Sequence, residues 1–173
     1  MENKIPGWFP PTNQETLEKL IKEHKIETVV EIGSFVGLST VWFAERVKKV
    51  YTVDPFDALT RLNYLHGEMK VAAEKQRENF NRNTNRFKNI SVYPMTSESA
   101  FKSPMIFLSG DLIYIDGSHE YEDVKKDIGM WYGRAGKILS GDDYTESWPG
   151  VRQAVDECGH NVNKDQRCWY IIK

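Results

Sequence analysis

Short apolar runs that each stop at a small or acidic residue recur along this chain, separated by segments of helical period. Val29-Val30-Glu31-Ile32 stops at Gly33-Ser34, and Val50-Tyr51-Thr52-Val53 stops at Asp54. Leu112-Ile113-Tyr114-Ile115 stops at Asp116-Gly117, and Lys137-Ile138-Leu139-Ser140 stops at Gly141-Asp142-Asp143. Strands alternating with helices predict an α/β fold: a doubly wound, mainly parallel sheet with helices on both faces. In such a sheet the carboxyl ends of the strands line one crevice, and ligands bind there. The chain therefore places its acidic residues where a cofactor and a polar substrate would meet, which is the layout of an enzyme.

The intervening segments complete the pattern. Met1 to Pro11 holds three prolines and the pair Trp8-Phe9, and reads as an extended arm with that pair exposed. Thr12 to Glu15 fits a capping box opening a helix whose apolar face is Leu17, Leu20 and Ile21. A second helix is expected over Gly37 to Val47 and a third over Gly67 to Phe80, with Pro55 to His66 as a loop able to cover a site. Ile90 to Tyr93 reads as a third strand, ended by Pro94, and Cys168 to Ile172 as the last one. Val124, Ile128 and Trp131 form a helical stripe, and Pro149 suits the first turn of a helix carrying Val151, Ala154 and Val155, with Gly159 as its stop. The expected organisation is residues 1–26 as arm and helix and residues 27–173 as a single domain, with no repeat or linker dividing it.

Composition narrows the partners. A net charge of −2 over 173 residues offers no whole-molecule attraction for nucleic acid or an anionic membrane. Lys125-Lys126 and the stretch from Arg82 to Lys88 read as solvated faces. No apolar run approaches the roughly twenty residues of a membrane span. Met1 to Pro11 lacks the apolar core of a signal peptide. Cys158 and Cys168 show no metal-type spacing and read as reduced thiols, so a cytoplasmic protein acting on a small molecule is expected. Self-association is left open.

Glycine after a strand allows a tight turn and a close approach of backbone to ligand. Gly33 and Gly37 occupy such positions, but Phe35 stands where a dinucleotide fold wants its middle glycine against the pyrophosphate. A cofactor without phosphates fits better. Asp54, at the end of the next strand, can accept both hydroxyls of a ribose.

Glu31-Ile32-Gly33 through Gly37-Leu38-Ser39-Thr40, followed by Val53-Asp54, resembles the cofactor motifs of class I S-adenosylmethionine-dependent methyltransferases. The serine-rich exit of the loop is similar to the catechol and caffeoyl-coenzyme-A O-methyltransferase branch. Asp116-Gly117-Ser118-His119-Glu120-Tyr121 with Pro149-Gly150-Val151 also resembles compact bacterial and phage-type domains of that neighbourhood. The resemblance runs from about Glu27 to the C terminus and implies a Rossmann-like methyltransferase fold. It implies that Glu31, Gly33, Ser34, Gly37 and Ser39 surround the methionine part of S-adenosylmethionine, that Asp54 holds the ribose, and that Thr96 and Ser97 contact adenine. Thr96 and Ser97 read equally as a helix cap.

In the sheet of that family the strands ending at Asp116 and at Asp142-Asp143 are neighbours, so three carboxylates would converge. Oxygen ligands suit a hard cation such as magnesium. The metal-dependent relatives place ligands at these positions, with an amide where Asp143 stands. Asp116 would alternatively touch the amino group of the cofactor. His119 lies where catechol-type enzymes carry a lysine base, and an imidazole of ordinary pKa about 6.5 can take a proton from a hydroxyl. Trp8, Tyr144 and Trp148 are candidate walls of an acceptor pocket; the other three histidines read as surface or packing residues. The expected activity is metal-assisted methyl transfer to an oxygen of a sugar, polyol or phenol. The alternatives are a nucleotide-dependent oxidoreductase of similar fold, against which Phe35 counts, and a non-catalytic cofactor-binding module.

Overall fold

Five neighbouring strands of the sheet run parallel in the computed structural model, which describes residues 4–58 and 65–173. They are β1 (Thr28–Ile32), β2 (Lys49–Val53), β3 (Ile90–Tyr93), β4 (Gly110–Ile115) and β5 (Ala135–Gly141). Two more, β6 (Asn163–Asp165) and β7 (Cys168–Ile172), form a terminal hairpin, and the seven lie in the order β3-β2-β1-β4-β5-β7-β6. β7 runs antiparallel to β5. The sequence did not disclose β6, because Asn163, Lys164 and Asp165 are polar and exposed and carry no alternating signal. Part of the expected covering loop, residues 59–64, lies outside the described residues.

Side chains on successive strand residues point to opposite faces, and the two faces build two cores. Val29, Leu112, Tyr114 and Ile138 pack with Phe9, with Leu17, Leu20 and Ile21 of α1 (Pro11–Glu23), and with Trp42 and Phe43 of α2 (Leu38–Ala44). Val30, Ile113, Ile115 and Leu139 pack with Val124, Ile128 and Trp131 of α6 (Tyr121–Tyr132) and with Val151, Ala154 and Val155 of α7 (Pro149–Asp156). Burial is worth roughly 1.5–3 kcal/mol for each large aliphatic side chain, so the three on α1 dock it firmly to the sheet. Phe9 of the arm is buried as well, while Trp8 is exposed. No helix among the described residues is long and apolar enough to cross a membrane.

Helix boundaries depart from the expected ones for local reasons. α1 begins at Pro11, its first turn set by the fixed φ of proline, and Thr12 makes no capping box. α2 is shorter than expected at both ends, opening after a left-handed Gly37 (φ +92°). The expected helix over Gly67 to Phe80 is broken at Lys75 (φ −128°, ψ 42°) into α3 (Gly67–Glu74) and α4 (Gln76–Thr84). Between β3 and β4 lies α5 (Ser97–Lys102). α7 stops at Asp156, ahead of the left-handed Gly159.

Strand order reverses direction between β1 and β4, and this switch point opens the crevice. The two strand ends touch there. Asp116 N donates to Ile32 O at 2.8 Å, and Gly33, at φ +88°, leaves no space for a side chain: an added Cβ would sit 2.2 Å from the Asp116 carbonyl oxygen. Gly33→Ala is therefore expected to lower stability by about 2–4 kcal/mol, from overlap and left-handed strain together. Gly67→Ala, also left-handed but with open space around it, should cost only about 1–2 kcal/mol; urea denaturation of the two variants checks the difference.

Candidate active site

A cleft of about 970 Å³ lies along the carboxyl ends of β1, β2, β4 and β5. Its first wall is formed by Gly33, Ser34 and Phe35, on a loop that Asp54 organises; Gly37, expected beside a cofactor, does not line the cleft and instead turns against Thr84 and Phe80. Asp54 Oδ2 accepts Ser34 N (2.8 Å), Phe35 N (2.9 Å) and Ser34 Oγ (3.3 Å), while Oδ1 accepts Phe56 N (2.6 Å) and Gln76 Nε2 (3.2 Å). Burial pushes the carboxyl up, and the amide bonds pull against it. Both oxygens of Asp54 are thus engaged within the protein, rather than turned outward as a bare ribose acceptor. Gln76 also donates to Phe35 O and accepts from Ala58 N. These bonds hold Phe35 in a left-handed conformation (φ +48°) that a bulky residue rarely adopts.

Beneath the loop, Glu31 is fully buried. Its oxygens accept from Ser39 Oγ at 2.6 Å and Thr40 Oγ1 at 2.5 Å, tying the first turn of α2 to β1. Burial raises its carboxyl to about 7 against these bonds. Glu31 and Ser39, both expected beside a cofactor, hold each other; Ser39 lines the cleft as well.

The opposite wall carries Thr96, Ser97 and Asp127. Thr96 caps α5, its hydroxyl accepting Ser99 N at 3.2 Å, so the capping alternative is realised. Ser97 Oγ accepts Trp131 Nε1 at 2.7 Å and donates to Asp127 Oδ1. Burial pushes the Asp127 carboxyl up to about 6.

The acidic residues meet at the floor. Asp116 is raised well above the ordinary carboxylate range by desolvation and by the charges of Asp142, Asp143 and Glu31, with Arg167 pulling the other way. His119 Nε2 lies 2.7 Å from Asp143 Oδ2, and its ring stacks on Trp148 with centroids 4.0 Å apart and planes 21° apart. Potential ligand atoms of Asp116, His119 and Asp143 lie within 4.8 Å of one another. Asp142 departs from the expected oxygen set. Its Oδ1 accepts Asp143 N at 2.5 Å and pairs with Arg167 Nε at 3.0 Å. Arg167 also pairs with Asp143 Oδ1, so both Asp143 oxygens have partners of their own. A carboxylate set split in this way, with an imidazole as its third member, does not fit magnesium, which wants oxygen ligands in octahedral array. Trp8 and Trp148 line the cleft, but Tyr144 does not: its ring packs against the core and its hydroxyl donates to Asp156 at 3.0 Å.

A family model described as a methyltransferase domain matches residues 30–144. The chain belongs to the methyltransferase domain family. The oxidoreductase reading falls with that match. No curated protein matches the methyltransferase in sequence. Among solved structures it is similar to an O-methyltransferase from Bacillus cereus in complex with SAH, at TM-score 0.68 and 15% identity, covering 98% of this chain and 84% of that one. The O-methyltransferase TomG from Streptomyces achromogenes, involved in tomaymycin synthesis and in complex with SAM, gives TM-score 0.66 at 10% identity, covering 96% and 82%. The N-methyltransferase NodS from Bradyrhizobium japonicum gives 0.59 at 13%, covering 92% of each chain. At these identities the likeness is one of fold, and the seven-stranded sheet is that of the Rossmann-like methyltransferases.

Three site residues of the methyltransferase carried no local signal. Gln76 sits in a polar helix, Asp127 stands among the charged residues of α6, and Arg167 precedes the last strand in a polar hairpin. Gly150 had a signal whose reason is now visible. An added Cβ would lie 2.6 Å from His119 O and 2.8 Å from Tyr121 N, so glycine lets the first turn of α7 pack against the backbone that carries His119.

The raised Glu31 carboxyl makes stability pH-dependent. Folding favours the protonated form, so its contribution is fully present below the unfolded pKa near 4.5 and is lost as pH rises through about 7. Glu31→Gln keeps partners for Ser39 and Thr40, because either hydroxyl can turn to accept from the amide, and it carries no charge. The thermal midpoint of the wild type should fall relative to Glu31→Gln between pH 5 and pH 8. Parallel melting curves would refute the assignment.

Proposed function

We propose that this methyltransferase moves a methyl group from S-adenosylmethionine to an oxygen of a small polar acceptor, a sugar, polyol or phenol, with His119 as the base. The observation that carries the reading is the imidazole held between Asp143 and Trp148 on the wall of the cleft that starts at the Gly33 loop. A neutral imidazole that donates Nε2–H to Asp143 keeps its basic lone pair on Nδ1. Asp143 fixes the tautomer, and the Trp148 face restricts the ring, so His119 can receive the acceptor's hydroxyl proton without reorganising.

The loop favours a cofactor without phosphates. Its Ser34 and Phe35 amides are committed to Asp54, whereas a pyrophosphate site needs such amides aimed at the ligand. When bound, the cofactor supplies an electrophilic methyl group on a positively charged sulfur. Asp116, whose carboxyl is held toward its protonated form by burial and by the neighbouring carboxylates, lines the same stretch of the cleft. The solved structures of similar fold that contain SAH or SAM support the same choice. Gly33 and Ser34 would shape the methionine end, with Gly37 turning the chain behind them, and Thr96 and Ser97 the adenine end. A ribose held by Asp54 would displace the side-chain donors Gln76 and Ser34, leaving the backbone donors in place. No step passes through a metal, because an ion at Asp116, His119 and Asp143 would take the lone pair that the base needs.

S-adenosylhomocysteine should raise the thermal midpoint, as a ligand selective for the folded state must, and a nicotinamide dinucleotide should not. The reverse result would sink the reading. His119→Ala should keep S-adenosylhomocysteine affinity while methyl transfer to an acceptor from a sugar and phenol panel falls about 100- to 10,000-fold. Unchanged turnover in His119→Ala would remove the histidine from the mechanism.

A further inference from the structure

Carboxylates from the ends of two neighbouring strands meet at the cleft floor, and like charges in a partly dehydrated site need a counter-charge. Among the described residues the lysine and arginine side chains lining the cleft are Lys126 and Arg167. Lys126 is drawn away to Glu98, at 2.5 Å. Arg167 remains. Its Nε lies 3.0 Å from Asp142 Oδ1, and its terminal nitrogen pairs with Asp143 Oδ1.

The fold delivers this guanidinium deliberately. β7 runs antiparallel to β5 with Trp169 opposite Gly141, so the residues just before β7 lie beyond the carboxyl end of β5, beside Asp142 and Asp143. Gln166 turns the hairpin in a left-handed conformation (φ +55°), and Arg167 O accepts Tyr144 N at 2.9 Å, fixing the backbone from which the side chain reaches. Next to the same carboxylates is a pocket of about 10 Å³ bordered by Asp116, His119, Asp142 and Asp143. That is room for about one water or one bare ion.

We propose that Arg167 is the fixed counter-cation of this acidic site and keeps it from taking up a divalent metal. A guanidinium stays charged at any working pH and pairs with carboxylates through a planar fork, so the neutralising charge belongs to the chain and cannot be chelated away. Without it, Asp116, Asp142, Asp143 and His119 form one side of an ion-sized space whose other side is apolar (Val124, Val151), and leave it with excess negative charge, the situation that recruits a divalent cation. The charge balance follows from this geometry; its bearing on the His119 base rests on the O-methyl-transfer reading.

The test uses Mn2+ alone as the probe, titrated calorimetrically into the full chain. The wild type should show no saturable uptake at millimolar Mn2+. Arg167→Ala should bind one ion at least about tenfold more tightly than the wild type. Arg167→Lys should restore exclusion, because it returns the charge, and Arg167→Ala with Asp143→Asn should lose the ion again. In Arg167→Ala the paramagnetic ion should broaden the His119 ring resonances, an effect that mere loosening of the hairpin would not produce. Arg167→Met, which keeps the aliphatic stem, replaces alanine if circular dichroism shows that Arg167→Ala has unfolded. Equal Mn2+ binding by the wild type would overturn the proposal, as would folded alanine or methionine variants that bind none. Neither cofactor nor acceptor enters these measurements. Failure of the transferase reading would appear separately, as wild-type protein that does not bind S-adenosylhomocysteine.

Discussion

Carboxylates taken out of water at the end of a sheet are costly unless each finds partners, and this protein places several of them around one cleft. Each is compensated differently. Glu31 is held by two hydroxyls and carries a carboxyl raised to about 7. Asp54 is wrapped by three backbone amides, together with Ser34 and Gln76. Asp142 and Asp143 share the Arg167 guanidinium. Remove any of these partners and a charge is left in a site that cannot solvate it. The loop, the first turn of α2 and the C-terminal hairpin are therefore fixed by the same requirement that fixes the site.

The backbone shows where that requirement is met at local expense. Phe35, Phe56, Asp143 and Gln166 all have positive φ without being glycine, and all lie in or beside the cleft segments. Such conformations cost of order 1–3 kcal/mol each and persist when surrounding bonds over-determine them. For Phe35 those bonds come from Asp54 and Gln76; for Asp143, from Asp142, Arg167 and His119. Strain at the carboxyl ends of the strands aims side chains into the crevice, while the strands themselves stay regular.

Fold likeness extends to O-methyltransferases and to an N-methyltransferase at comparable scores. The sheet therefore sets where the reacting groups meet, and the side chains at its edge decide the chemistry. At that edge in this chain the His119 imidazole lies against Asp143, and Arg167 pairs with Asp142 and Asp143. Trp8, Phe35 and Trp148 give the same cleft an aromatic lining beside its carboxylates.

The order of strands and helices, the glycine loop, Asp54 and the acidic strand ends were legible in the sequence, because period and punctuation are local properties. Gly33 could be read as a tight turn, but its actual reason, contact with the Asp116 carbonyl oxygen, needed β4 in place beside β1. The capping box at Thr12 was a sound local pattern displaced by the proline before it. Asp142 looked equivalent to Asp143 from its position alone. Only the antiparallel hairpin separates them, since β7 brings Arg167 across 24 residues to Asp143 and 25 to Asp142, and His119 reaches Asp143 from the end of another strand. The sequence by itself determined that acidic groups would gather at one sheet edge. Which of them are free for chemistry was decided by tertiary structure, because a buried charge takes its partner from whatever the fold packs against it, wherever that lies along the chain.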